Sequence, residues 1–154
     1  MSLLTDTAFV AAIRSNAGLL DMLPAHDVYN TAIALPEQKA ANAPVPYIIV
    51  SFDGLQNEDD TKDNGYECET DKVHISIVIA ANTRPQLGTI ATMVRNTVRG
   101  YFENIEDTDE LFDEVPEDYT FSAGPVTYDD SKPCYWQVLN FQCDTKNVID
   151  YEQD

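Results

Sequence analysis

Positive charge is what this sequence has least of. Lys and Arg number 9 against 27 Asp and Glu, a net charge of −18 at pH 7. A surface of that sign repels nucleic-acid phosphates and anionic membranes, which argues against general affinity for either. Glycine is sparse as well, at 6 residues. No glycine-rich phosphate loop, Gly-x-Ser-x-Gly or Cys-x-x-Cys occurs in the sequence. The 2 histidines, His26 and His74, have no second ligand type at metal spacing. Neither a zinc site nor a histidine-based triad is expected from them. The 3 cysteines, Cys68, Cys134 and Cys143, are odd in number and fit no metal or redox spacing. Cys134 and Cys143 stand an odd number of residues apart on one apparent strand, so they point to opposite faces and do not pair. Reduced thiols and a cytoplasmic compartment are expected. Asn-x-Ser/Thr is absent, and no charged-then-apolar leader opens the chain. No apolar run approaches the ~20 residues of a membrane-spanning helix.

What the sequence does have is a strand followed by a long helix, between Lys72 and Phe102. Val73, Ile75, Ile77 and Ile79 alternate with polar residues, the period of a strand with one buried face. Val78 and Ala80 make its far end apolar on both sides. Thr83 and Gln86 then stand at capping-box spacing, and Pro85 suits a first helical turn. Leu87, Ile90, Ala91, Val94, Val98, Tyr101 and Phe102 recur at helical spacing and form one apolar stripe. Val94 and Val98 are expected to be nearly buried.

The rest of the chain fits around that block. Asp6 or Thr5 is placed to cap a first helix carrying Phe9, Ile13, Ala17, Leu20 and Leu23, which Gly18 divides and Pro24 ends. Residues 28–33 read as a short strand. Residues 35–45 read as an exposed connection. Tyr47 to Phe52 is a continuous apolar run, suited to a central strand. Residues 56–65 are a polar hairpin tip ending in Asn64-Gly65. After the long helix comes an acidic excursion over 103–118. Residues 121–129 read as a strand, 129–133 as a turn and 134–143 as the last strand, followed by a frayed acidic terminus at 147–154. The fold class expected is α+β over a single domain, 1–154. Its sheet is antiparallel, of about four strands, with two main helices packed on one face.

Few patterns carry chemistry. Asp59 to Gly65 resembles a calcium loop only in composition. Started at Asp59, the frame puts Asn64 where glycine is needed and Thr70 where a bidentate glutamate is needed. Started at Asp60, it puts Lys62 at a ligand position. A solvated hairpin tip is the better reading. Residues 103–118 hold Glu103, Glu106, Asp107, Asp109, Glu110, Asp113, Glu114, Glu117 and Asp118, with no Lys or Arg. None stands in an apolar setting that raises a carboxyl pKa, as a general acid requires. Glu106, Asp107, Asp109, Glu110, Asp113 and Glu114 are therefore candidates for a channel or partner surface, not for catalysis. Tyr135, Trp136 and Phe141 lack the cationic groove that base stacking needs, so core or subunit packing is expected of them. Arg95 and Arg99 lie one helical turn apart, with Glu103 placed to pair with Arg99.

Several segments, in this order, resemble the tail completion, or tail terminator, family of long-tailed, siphovirus-type phages and prophages. They are FVAAIRSNAGLLDML, PVPYIIVSF, HISIVIAANTRPQLGTIATMVRNTVRGYF and YWQVLNFQC. The resemblance implies a small α+β subunit that forms a ring, commonly a hexamer. Such a ring caps the finished tail tube and joins it to the head connector. It implies tail tube and connector proteins as partners and a cytoplasmic assembly site followed by residence in the virion tail. It implies no enzymatic activity, no cofactor, no sequence-specific nucleic-acid binding and no membrane. The excursion at 103–118 is longer than the link usual in that family. Three other readings compete: an acidic DNA mimic that occupies a basic protein, which would explain the charge directly, a head–tail joining (neck) protein of similar build, and, last, an unrecognised small enzyme.

Overall fold

The structure is a computed structural model and describes residues 2–30, 44–57, 70–104 and 118–146. A 3-10 turn at Ser2–Leu4 leads directly into helix α1, Thr5–Arg14, and then α2, Ala17–Asp21. Strand β1 (Tyr29–Asn30) follows, then β2 (Tyr47–Asn57), β3 (Thr70–Ala81) and the long helix α3 (Arg84–Asn104). Strands β4 (Asp118–Ala123), β5 (Thr127–Asp129) and β6 (Cys134–Lys146) complete the described chain.

The protein is α+β, with one mixed sheet of six strands among the described residues. The strand order is β1-β2-β3-β6-β4, with β5 also paired to β6. Two expectations need correction. The sheet has six strands rather than about four, because the short piece at Tyr29–Asn30 joins it and the strand expected over 121–129 is interrupted. Gly124 donates to the Val138 carbonyl at 2.8 Å, but Pro125 beside it has no N–H to give the ladder, so β4 and β5 run along β6 as separate pieces. The sheet is also not wholly antiparallel, because β1 pairs with β2 in parallel, Tyr29 opposite Ile49. The connection from Asn30 to Tyr47 is long enough for a crossover, which a parallel neighbour requires. Of the strand expected over 28–33, residues 31–33 lie outside the described residues. So do residues 58–65 of the hairpin tip expected over 56–65, whose first two residues belong to β2, as well as Cys68 and the terminus at 147–154.

The start of the long helix follows its sequence signals. Gln86 N–H donates to Thr83 Oγ1 at 3.3 Å, and Gln86 Oε1 accepts from the Asn82 N–H at 2.9 Å. The reciprocal capping is thus displaced by one residue from the usual box. The first helix departs from expectation. Leu4 occupies the N-cap with no side-chain hydrogen bond, since the preceding 3-10 turn carries the chain into the helix one residue early. Thr5 and Asp6 therefore fall inside the first turn and are buried. Asp6 accepts a hydrogen bond from Asn30 Nδ2 at 3.1 Å, near the positive end of the helix dipole. Nor is Gly18 the dividing residue. The break falls at Ser15-Asn16, where extended Asn16 caps α2 through the Leu19 N–H at 3.1 Å.

The core lies between the helices and one face of the sheet. Register puts Phe52, Ile75, Phe141 and Phe121 in one row across four strands. Phe9 of α1 packs on this row, its ring 5.2 Å from Phe141 and 5.1 Å from Phe102 of α3. Val94 and Val98 are 0% exposed, as the stripe requires. At the end of β2 the register shifts between Phe52 and Gly54, which has φ +146°. That bulge keeps Leu55 on the core side, opposite Val73.

Candidate functional site

Strand alternation leaves a second face, on which no described helix packs. It carries Tyr47, Ile49 and Ser51 of β2, and His74, Ser76, Val78 and Ala80 of β3. It continues with Trp136, Val138, Asn140 and Gln142 of β6, and Thr120 and Ser122 of β4. The face has two ends of different character. Tyr47, Ile49, Val78, Trp136 and Val138 form an apolar band, of which only Ile49 is counted as buried and the others are half-buried. At the other end an open groove of about 480 Å³ is lined by Asp53, His74, Thr120, Ser122, Asn140 and Gln142, with Ile75 and Phe141. The bulge at Phe52–Gly54 brings Asp53 to its rim. These are hydrogen-bonding groups of mixed kind. Among the described residues no group of three or more His, Cys, Asp or Glu is placed to hold a metal ion. His26 lies apart from the groove, exposed in a turn with φ 53° and its N–H bonded to the Leu23 carbonyl at 2.9 Å.

The thiols are placed for packing rather than reaction. Burial pushes the Cys143 thiol up to about 12, with neighbouring Asp144 adding to the shift. Burial also raises Cys134, Asp129 adding and Lys132 opposing. A nucleophilic cysteine needs its thiolate stabilised, and both sites act in the other direction. The two thiols stand at opposite ends of β6, unpaired. Tyr135 and Phe141 both contribute to the core layer, Tyr135 from a half-buried position, while Trp136 points to the open face.

The outer surface of α3 is the counterpart of the open sheet face. It carries Arg84, Arg95 and Arg99, all exposed. Arg99 Nε donates to Glu103 Oε1 at 3.0 Å, the i,i+4 pair read from the sequence. Arg95 stacks its guanidinium over Phe121, 4.3 Å from the ring centroid. The candidate partner residues Glu106, Asp107, Asp109, Glu110, Asp113 and Glu114 lie outside the described residues, as does the Asp59–Gly65 loop. The open-face groove was not singled out from sequence. Its residues come from four strands, and only strand register brings them together.

The sequence matches no family model and no curated protein. No described helix is long and apolar enough to cross a membrane.

Proposed function

We propose that the protein is a non-enzymatic assembly subunit of the tail terminator type. In this reading it forms a ring, a hexamer as is common in that family, that caps a phage tail tube and joins it to the head connector. The reading rests on the order of the segments that resemble that family, and one structural observation supports it most. The sheet is helix-covered on one side and presents a half-buried apolar band, Tyr47, Val78, Trp136 and Val138, on the other. Half-buried aromatic and aliphatic side chains beside a polar rim suit protein contacts. The acidic residues Glu106, Asp107, Asp109, Glu110, Asp113 and Glu114 face the DNA channel or a basic partner in this reading. Acidic lining lets DNA pass without adhering.

The test is binding to isolated tail tubes, followed by electron microscopy. Rings at one end of the tube, six-fold when averaged, are the expected result. Deleting the gene from its prophage should give tails of uncontrolled length, or heads and tails that fail to join. Tails of normal length that fail only to join would favour the neck reading. Normal tails with full infectivity in the deletion would end both.

A further inference from the structure

The arginines of α3 are out of keeping with the rest of the chain. With 27 acidic residues against 9 basic ones, most cations have many possible partners. Yet Arg84 and Arg95, both exposed, form no ion pair among the described residues. Their separation of eleven residues is three helical turns to within about 20°, so they share one line along the helix about 16 Å apart. Arg99, one turn beyond Arg95, extends the line. The only acidic residue in the whole of Arg84–Asn104 is Glu103.

The two side chains are placed differently. A guanidinium nitrogen of Arg84 lies over Gly88, 3.3 Å from where a Cβ would stand, so this exposed side chain runs along the helix one turn toward Arg95. Arg95 is fixed by its stack on Phe121. Stacking uses the face of a guanidinium and leaves its in-plane N–H donors for a carboxylate. The result is a cationic line on an acidic molecule, with Arg95 positioned by its stack.

We infer that this line is the contact through which one copy of the chain takes the acidic surface of the next. This deepens the ring reading above and rests on it for the biological setting. The charge pattern also chooses the symmetry. A two-fold contact centred on α3 would set arginine against arginine and repel. Basic line against acidic surface is a head-to-tail contact, the kind that closes into rings. Charge complementarity at such a contact also sets orientation, which copies carrying a large like charge need in order to approach productively.

The experiment measures self-association of the full chain by sedimentation velocity at low salt. It compares wild type, R84E/R95E and K39E/K62E, the last two having the same net charge. Wild type and K39E/K62E should associate with rising concentration, and R84E/R95E should do so about tenfold more weakly, as expected for two lost charge pairs. R84K/R95K, which keeps charge but loses the planar fork, should fall between. R84Q/R95Q provides a second disruption without reversed charge, and thermal melts establish that each variant is folded. Equal weakening in both reversal mutants would assign the effect to net charge and overturn the proposal. So would a wild type that stays monomeric to about 1 mM. Tail tubes are absent from this assay. Association through the arginines by a protein that ignores tail tubes would retire the tail reading and leave this contact standing.

Discussion

Asn16 Nδ2 donates to Thr97 Oγ1 at 3.0 Å, joining residues 81 positions apart, while Asn16 Oδ1 caps α2. One side chain thus starts a short helix and ties it to the long one. Asn16→Ala should cost about 1–2 kcal/mol, the sum expected for a lost cap and a partly buried hydrogen bond. Asn16→Asp keeps the capping acceptor and loses the donor, so it should recover part of that loss. Urea denaturation of the three proteins checks both statements. An Asn16→Ala protein as stable as wild type would remove this tie from the account of α2.

Val94 lies at the centre of the α3 stripe and is 0% exposed. Val94→Ala should destabilise by about 2 kcal/mol through lost burial and a residual cavity. Val94→Asp should cost several kcal/mol more, because it places an unpaired carboxylate in the core. Thermal melting is the measurement. A soluble Val94→Asp variant with an unchanged melting temperature would contradict the packing of α3 on the sheet.

Alkaline stability reports on Cys143. Burial raises its thiol from 9.0 to about 12, so the folded state retains the proton over a range where the unfolded chain releases it. The contribution is fully present below the unfolded value and is lost as pH rises from about 9 to about 12. Its slope approaches 1.4 kcal/mol per pH unit. Cys143→Ala should be less stable at neutral pH but lose stability more gently across that window. Parallel curves for mutant and wild type would show that Cys143 titrates alike in both states. Thiol counting without reductant should find Cys134 and Cys143 slow to react when native and free after unfolding.

Replacing Glu106, Asp107, Asp109 and Glu110 together by Asn and Gln should leave folding nearly intact. Exposed unit charges interact at about 1 kcal/mol at 4 Å in water and are screened within about 8 Å at physiological salt. On the terminator reading, a prophage carrying the change should assemble tails while joining or DNA ejection suffers. Full infectivity in this variant would remove the electrostatic role alone and leave the terminator reading untouched.

The block from Lys72 to Phe102 was legible because its periods, two and then 3.6, repeat often enough to be unambiguous. Burial of Val73, Ile75, Ile77, Ile79, Leu87, Ile90, Val94 and Val98 follows that pattern. What escaped the sequence depends on tertiary context. The strand expected over 28–33 is present at Tyr29–Asn30, but so short a stretch carries no signal of its parallel pairing with β2. Asn16 outcompeted Gly18 because a capping carboxamide ends one helix and begins another, whereas glycine only lowers propensity. The open face needed the register of β2, β3, β6 and β4 before His74, Asn140, Gln142, Thr120 and Ser122 became neighbours. The acidic stretch, by contrast, was evident from composition alone.

The place of β6 in the sheet has a consequence for biosynthesis. β3 is flanked by β2, near in sequence, and by β6, whose partner residues run from Thr70 opposite Lys146 to Ala81 opposite Tyr135. The β2–β3 hairpin and α3 can meet as soon as they leave the ribosome. The other side of β3 must wait until Cys134–Lys146 emerges, holding an apolar strand edge open during translation. Such distant pairing folds slowly and exposes intermediates to aggregation. Like charge on so anionic a chain opposes contact between incompletely folded copies, which counters that aggregation.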